Sequence, residues 1–147
     1  AGIGAKADLT VAGGQLLGLY LVSNNTTAEA RAGRAIAFFT FDAANADRID
    51  HAQTRNRGDG GRDFRFEDVL GGGDLDYNDA VISVSRTHAI ATPGQAGQTV
   101  SATFTRLTGS AGYKNEVGLF RVDARDGSIG GVRPGEPGYL RAALAAG

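Results

Sequence analysis

The chain has 147 residues, of which 41% are hydrophobic, and this size suits one ordinary domain with a real core, so we predict a single domain over residues 1–147. Fifteen basic and sixteen acidic residues leave a net charge of -1, which gives no electrostatic reason to expect a nucleic-acid or anionic-membrane partner. The absence of cysteine excludes a disulfide framework and a thiol nucleophile, and with only two histidines a structural zinc site is not expected.

Two apolar runs in the first third of the chain predict strands that are buried on both faces. Residues 14–24, GQLLGLYLVSN, are rich in strand formers and end in turn residues. Residues 35–45, AIAFFTFDAAN, place apolar side chains on both faces and stop at Asp42. Neither run approaches the roughly 20 apolar residues that span a bilayer, so we expect no membrane insertion.

The later strands predict the fold class. RDFRFED, residues 62–68, alternates Phe64 and Phe66 with charged residues, as a half-exposed strand does. Similar patterns occupy three more segments: residues 80–86, 99–107 and 116–123. Six or seven strands separated by clusters of Gly, Asn and Asp predict an all-β fold, an antiparallel β-sandwich that is jelly-roll-like.

Two segments have helical character. PGYLRAALAA, residues 137–146, has proline near its start, an alanine-rich continuation and a glycine after its end, which are helix start and stop signals. AEARAG, residues 28–33, is too short to be stable alone. We therefore predict one short C-terminal helix.

An acidic stretch, FEDVLGGGDLDYND at residues 66–79, lies between two predicted strands. Asp74, Asp76 and Asn78 occupy alternate positions, so a curled loop can turn their side-chain oxygens toward one centre. Asp79 adds a fourth acidic or amide side chain. This spacing is typical of oxygen-rich calcium loops.

The three glycines at residues 71–73 allow the chain to fold back, so that Glu67 and Asp68 converge on the same centre. Converging carboxylates repel one another unless a cation compensates, and oxygen ligands in a flexible loop suit calcium (Ca²⁺) better than magnesium or zinc. The site is not an EF-hand, because Asp79 stands where that motif needs glycine and Ser85 where it needs glutamate. A solvated acidic turn without an ion is the alternative.

The segment FRFEDVLGGGDLDYNDAVISV, residues 64–84, closely resembles the signature of a bacterial domain family of formerly unknown function. Such domains occur in large secreted, repeat-rich surface proteins, including RTX-type adhesins exported by type I secretion. The resemblance extends upstream through residues 14–26 and 41–51. Residues 111–144 are similar to a segment that precedes the LGLYLVSN strand in relatives but follows it here. Circular permutation is one account of this order and a chain cut from an array is another; we predict neighbouring chain termini.

The resemblance implies a set of calcium-binding side chains. Three aspartates are expected as ligands and three further side chains as direct or supporting partners: Asp74, Asp76 and Asp79, with Glu67, Asp68 and Asn78. Asp47 joins the candidate metal residues through a second cluster with Asp50 and His51. Because calcium prefers oxygen, we expect His51 to support the structure rather than to bind the ion.

Three functions are consistent with these residues. The first is a calcium-stabilised extracellular module of a bacterial surface protein, secreted, monomeric within a larger chain and not an enzyme. The second is a lectin-like domain whose calcium binds a glycan or another cell-surface ligand, which a nearby exposed aromatic such as Tyr77 or Tyr139 would favour. The third is a hydrolase that uses Glu67 and Asp79 as an acid/base pair.

Overall fold

The computed structural model of the chain describes residues 6–12, 16–92, 95–107 and 115–146, which contain eight β-strands and two α-helices. The elements are β1 (Lys6–Ala12), β2 (Leu16–Val22), α1 (Thr27–Arg31), β3 (Ala37–Phe39), β4 (Ala52–Asn56), β5 (Arg62–Phe66), β6 (Ala80–Thr92), β7 (Gln95–Leu107), β8 (Glu116–Val122) and α2 (Tyr139–Ala145). They form a five-stranded sheet, β1-β7-β6-β5-β4, and a three-stranded sheet, β3-β2-β8, with antiparallel pairing throughout. The predicted all-β antiparallel sandwich is confirmed.

The two sheets share a hydrophobic core. Leu19, Leu21 and Phe38 of the three-stranded sheet pack with Phe66 and Ile82 of the five-stranded sheet, and all five are buried. In β5 and β6 these residues alternate with more exposed ones, so only one face of this part of the five-stranded sheet contributes to the core. The strand predicted for residues 62–68 is confirmed over Arg62–Phe66, whereas Glu67, expected on its exposed face, lies beyond the strand and is fully buried.

A second core covers the other face of the three-stranded sheet. Tyr20 and Val22 alternate with Leu19 and Leu21 along β2, so they point away from the five-stranded sheet. There they pack with Phe120 of β8 and with buried residues of α1 and α2. β2 is thus buried on both faces, as its continuous apolar sequence predicts, and the two helices form a third layer.

Two glycines in the three-stranded sheet make room for aromatic rings. Gly18 pairs with Phe120, and Gly118 pairs with Tyr20 across the β2–β8 ladder. A Cβ at Gly18 would lie 2.4 Å from the Phe120 ring, and one at Gly118 would lie 2.4 Å from the Tyr20 ring. Each ring therefore lies flat over the glycine of the opposite strand, which brings the aromatic core against the backbone.

The second predicted strand is much shorter than its apolar run. β3 ends at Phe39, and a 3-10 turn follows at Asp42–Ala44. The Asn45 side chain accepts a hydrogen bond from the Phe39 N–H at 2.7 Å and donates to the Phe39 carbonyl at 3.3 Å. The amide therefore takes the place of a neighbouring strand at the free edge of β3.

Several elements differ from the sequence predictions. α1 forms although it is short, because the Thr26 hydroxyl accepts from the Glu29 N–H at 3.2 Å and Ala30 is buried in the core beside α2. Among the described residues β1 and β4 are additional strands, and the polar sequence of β4 gives no alternating apolar signal. The predicted C-terminal helix is confirmed as α2. The predicted closeness of the termini concerns residues 1–5 and 147, which lie outside the described residues.

Within the described part of the chain, no helix is both long enough and apolar enough to cross a membrane.

Candidate metal centre

The acidic loop joins two strands that are neighbours in the five-stranded sheet. Phe66, the last residue of β5, pairs with Ala80, the first residue of β6, so the loop at residues 67–79 begins and ends at the same end of this strand pair. Five loop residues have φ between 52° and 83°: Gly71, Gly72, Gly73, Leu75 and Tyr77. These left-handed residues curl the loop over a short distance.

Three carboxylates converge inside this curl. One oxygen from each of Glu67, Asp74 and Asp76 lies within 4.8 Å of the others. Glu67 is fully buried, whereas Asp74 and Asp76 are exposed. The arrangement is a surface site with a buried floor, and it unites three of the seven residues singled out as candidate metal ligands.

Glu67 is the most unusual member of this group. Its Oε1 accepts a hydrogen bond from the Tyr77 N–H, whereas its buried Oε2 has no hydrogen-bond partner among the described residues. A Cβ at Gly73 would lie 2.9 Å from this Oε2, so the glycine leaves the space beside it open. Because an unpaired buried carboxylate oxygen is costly, this atom marks a place where a cation would be stabilising.

The electrostatics of the loop favour a positive partner. Burial raises the pKa of Glu67 above its ordinary value, and repulsion from Asp79, Asp74 and Asp76 raises it further. Burial also raises the pKa of Asp79, with a contribution from the neighbouring Asp68. A divalent cation at the site would offset both the repulsion and the loss of hydration.

Asp68 and Asp79 contact each other rather than joining the group of three. The Asp79 Oδ2 accepts from the Asp68 N–H at 3.2 Å. The buried Asp68 accepts through its Oδ2 from the Asn115 Nδ2 at 2.9 Å, and the Asn115 Oδ1 accepts from the Asn24 N–H at 2.6 Å. Asp68 therefore ties the acidic loop to the start of β8 and to the turn after β2.

Asn78 supports Asp76 in this structure. Its N–H donates to the Asp76 Oδ1 at 3.1 Å, and its side-chain nitrogen donates to the Asp76 Oδ2. Asp76 in turn donates its N–H to the Asp74 Oδ1 at 3.4 Å. The alternate spacing of these three residues thus produces successive side-chain turns that hold the exposed carboxylates in place.

Asp47 holds the glycine part of the loop. Its Oδ2 accepts from the Gly71 N–H at 2.7 Å and lies 2.9 Å from the His51 Nε2. Its Oδ1 accepts from the Ile49 N–H at 3.2 Å. Burial alone would raise the pKa of Asp47, but these hydrogen bonds, that from Gly71 above all, lower it to about 2.

His51 lies beneath the loop. It is fully buried and stacks on Phe38 with 4.1 Å between ring centroids. Its Nδ1 lies 3.1 Å from the Glu67 carbonyl oxygen, and the Glu67 N–H donates to the His51 carbonyl at 3.0 Å. His51 and Asp47 therefore position the backbone on both sides of the three carboxylates. Asp47 is a candidate metal residue by sequence, but its described contacts are these hydrogen bonds.

Neither tyrosine named as a sugar-stacking candidate is available for that role in this structure. Tyr77 is buried, and its hydroxyl donates to the Asp50 carbonyl at 3.0 Å. Tyr139 is buried in the aromatic core, where its hydroxyl donates to the Gly127 carbonyl at 2.8 Å. Neither position therefore supplies the exposed aromatic ring that would favour a lectin-like site.

Replacing Asp47 by alanine should destabilise the protein by about 2–3 kcal/mol, since the Gly71 and Ile49 N–H groups and His51 lose a charged partner. The loss should shrink in acid, because the stability due to a lowered carboxyl pKa is present above the ordinary 3.8 and disappears as the pH falls toward about 2. Urea unfolding at several pH values measures both effects. The control is Asp59→Ala, since Asp59 is an exposed aspartate paired with Arg57. An equal, small loss in both variants would contradict the positioning role of Asp47.

Comparison with known families gives one match. The family described as Domain of unknown function (DUF4114) matches residues 11–87, and the chain belongs to this family. The match includes β2 to β5 and the whole acidic loop, and it agrees with the extent of the resemblance seen at residues 14–85. No curated protein matches the chain, and no solved structure matches it.

Proposed function

We propose that this member of the DUF4114 family is a calcium-binding extracellular module of a larger bacterial surface protein, in which the ion orders the acidic loop. The observation that carries the proposal is the buried Glu67 carboxylate, which converges with Asp74 and Asp76 and whose Oε2 has no hydrogen-bond partner among the described residues. A bound cation would supply the missing partner and neutralise the repulsion that raises the pKa of Glu67.

The ligand chemistry supports calcium over other ions. The converging group consists of carboxylates alone, on a curled loop between strands, and the two exposed aspartates leave space for water or further oxygens. Calcium takes six to eight oxygen ligands in flexible geometry, whereas magnesium requires a small octahedron and zinc prefers nitrogen and sulfur. Glu67 would form the fixed floor of such a site, and Asp74 and Asp76 would close over the ion.

The extracellular location rests on different support. The acidic signature resembles that of domains in large secreted adhesins, and the absence of cysteine is compatible with such modules. Loop ordering by calcium would make the fold tighter outside the cell, where the ion is abundant, than inside it before export. At a calcium concentration of 100 times the dissociation constant, binding would add about 2.7 kcal/mol to the free energy of unfolding.

A calcium titration tests the proposal directly. After treatment with a chelator, calcium should raise the unfolding temperature by about 5–10 °C at saturation, and magnesium should raise it much less. The double variant Asp74→Asn/Asp76→Asn should lose this rise because it removes two of the three anionic ligands. Isothermal titration calorimetry then gives the dissociation constant and the number of ions.

A matched control separates the site from general charge effects. Asp59→Asn/Asp126→Asn removes two aspartates that lie in other turns and are exposed. It should keep the full calcium response. If wild type shows no calcium-dependent rise, or if both double variants lose it equally, the carboxylates are a solvated turn and the proposed function fails.

A further inference from the structure

Exposed aliphatic side chains are concentrated around the acidic loop. In the part of the chain whose side chains are described, five large hydrophobic residues are exposed, and four of them border this loop. These four form what we call the apolar rim: Ile49 (37% exposed), Val69 (47%), Leu70 (48%) and Leu75 (56%). The fifth, Ile36 (42%), follows α1 elsewhere in the fold. Apolar side chains that are gathered in one patch, rather than scattered singly, are a feature of interaction surfaces.

The rim is continuous with the three carboxylates. A Cβ at Gly72 would lie 2.6 Å from the Leu75 side chain and 3.9 Å from that of Ile49, so these two residues flank the same glycine. A Cβ at the next residue, Gly73, would lie 2.9 Å from the Glu67 Oε2 and 3.8 Å from the Val69 Cβ. Apolar side chains and the candidate ion site therefore occupy one small area of surface.

The site has room for a ligand from outside the chain. Glu67 already uses Oε1 for the Tyr77 N–H, and both oxygens of Asp76 accept hydrogen bonds from Asn78. Three carboxylates so engaged cannot fill the six to eight positions around calcium. Because Asp74 and Asp76 are exposed, the open positions would face solvent, where an anionic oxygen could reach the ion.

We propose that the calcium-loaded loop docks on an anionic phospholipid surface, with the ion bound to headgroup oxygens and the apolar rim inserted at the boundary between headgroups and acyl chains. This inference rests on the proposed calcium site. A phospholipid surface offers anionic oxygens for the ion and an apolar interior for the rim, so it matches both parts of this area. The contact is peripheral, so it needs no segment that spans the membrane. Its attraction to anionic lipid comes from the bound ion, which the net charge of -1 for the chain does not include.

Other occupants match less of the surface. An exposed aromatic ring would favour a glycan, but Tyr77 is buried with its hydroxyl bonded to the Asp50 carbonyl. A second copy would bring the same cluster of carboxylates against this one. Four partly exposed aliphatic side chains also offer at most a few hundred Å², well below the roughly 800 Å² per partner of a stable interface.

Vesicle sedimentation tests the docking. Vesicles of phosphatidylcholine, with or without phosphatidylserine, are mixed with the protein in calcium, in magnesium or in chelator. We expect sedimentation only with phosphatidylserine and calcium together. The variant Val69→Ser/Leu70→Ser should reduce the partition coefficient by roughly tenfold or more, because two apolar side chains no longer enter the boundary. Ile36→Ser, the matched control, should bind as wild type does.

Unfolding measurements on the same samples separate the two proposals. Val69→Ser/Leu70→Ser should keep the calcium-dependent rise in unfolding temperature, because neither residue lies between the acidic ligands Asp74 and Asp76, and this rise shows that its ion site is intact. A wild-type protein that shows this rise but stays in the supernatant would overturn the docking and leave the calcium site standing. Calcium-dependent self-association without lipid, or retention on a polysaccharide resin instead of vesicles, would overturn it too. Loss of the rise in wild type would overturn both.

Discussion

Replacement of Glu67 by glutamine should raise the unfolding temperature of the metal-free protein and abolish its response to calcium. The amide keeps an oxygen for the Tyr77 N–H, and it places a neutral N–H group where the partnerless Oε2 now lies. The neutral amide also removes one of the three negative charges that converge at this site, so the repulsion among them falls. We expect a gain of about 1–3 kcal/mol without calcium, the usual cost of an unsatisfied buried group.

The calcium response should disappear because glutamine removes the only buried anionic ligand of the three. Thermal unfolding with and without calcium measures both halves of the prediction on one variant. Asp74→Asn, which changes an exposed ligand in the same way, should weaken calcium binding without the same gain in metal-free stability. A glutamine variant that is less stable than wild type in chelator would contradict the view that the Glu67 charge is unpaired.

The pH dependence of the stability of the metal-free protein provides an independent test of the raised pKa of Glu67. Its pKa is raised above 4.5 by burial and then by Asp79, Asp74 and Asp76, so between 4.5 and the raised value the folded state holds a proton that the unfolded state has lost. Stability should therefore increase as the pH falls through the raised pKa toward 4.5. Asp79 contributes with the same sign. The stability of Glu67→Gln should increase less as the pH falls. Calcium should stabilise the wild type least at low pH, because protons compete with the ion for the same oxygens.

Replacement of Phe120 by alanine should destabilise the protein by about 3–5 kcal/mol, the largest loss expected from a single substitution here. Phe120 is fully buried, and its ring centroid lies 5.9–6.5 Å from those of four other aromatic rings: Tyr20, Phe39, Phe41 and Tyr139. The substitution leaves a cavity and also uncovers Gly18, over which the ring lies. Urea unfolding measures the loss.

The calcium increment should survive this core substitution. Phe120 packs on the face of the three-stranded sheet that points away from the acidic loop, and effects at distant sites usually add. The added free energy from calcium should therefore be the same in wild type and variant within about 0.5 kcal/mol. If Phe120→Ala does not fold, Phe120→Leu gives a milder loss and the same comparison. A calcium increment that falls together with core stability would show that the ion acts on the whole fold rather than on its loop.

The sequence predicts the layers of the fold but not every strand or where each strand ends. The run from Leu16 to Val22 is apolar throughout, so both faces of this strand are expected to be buried. β3 carries the same signal but gives way to a 3-10 turn at Asp42–Ala44, and this turn brings the Asn45 side chain back onto Phe39. β4 is polar and is a strand because β5 offers it a partner, which no local pattern reveals.

The sequence likewise predicts some features of the candidate site and not others. The alternate spacing of Asp74, Asp76 and Asn78 predicts a curled, oxygen-rich loop, and the left-handed residues between them produce it. The contacts of Asp47 with Gly71 and of Asp68 with Asn115 join residues 24 and 47 positions apart, so they depend on strand order rather than on sequence neighbours. Tyr77 looks like a surface residue in an acidic turn, but its ring is buried by a backbone conformation that is rare outside glycine.

The hydrogen bond between Asp68 and Asn115 has a mechanical consequence. It connects the loop of the five-stranded sheet to the start of β8 in the three-stranded sheet, and Asn115 carries the connection on to Asn24. Sliding of one sheet over the other must break this link. An ion fixed on the adjacent Glu67 would hold Asp68 in place, so a module pulled by its ends should resist shear better in calcium than in chelator.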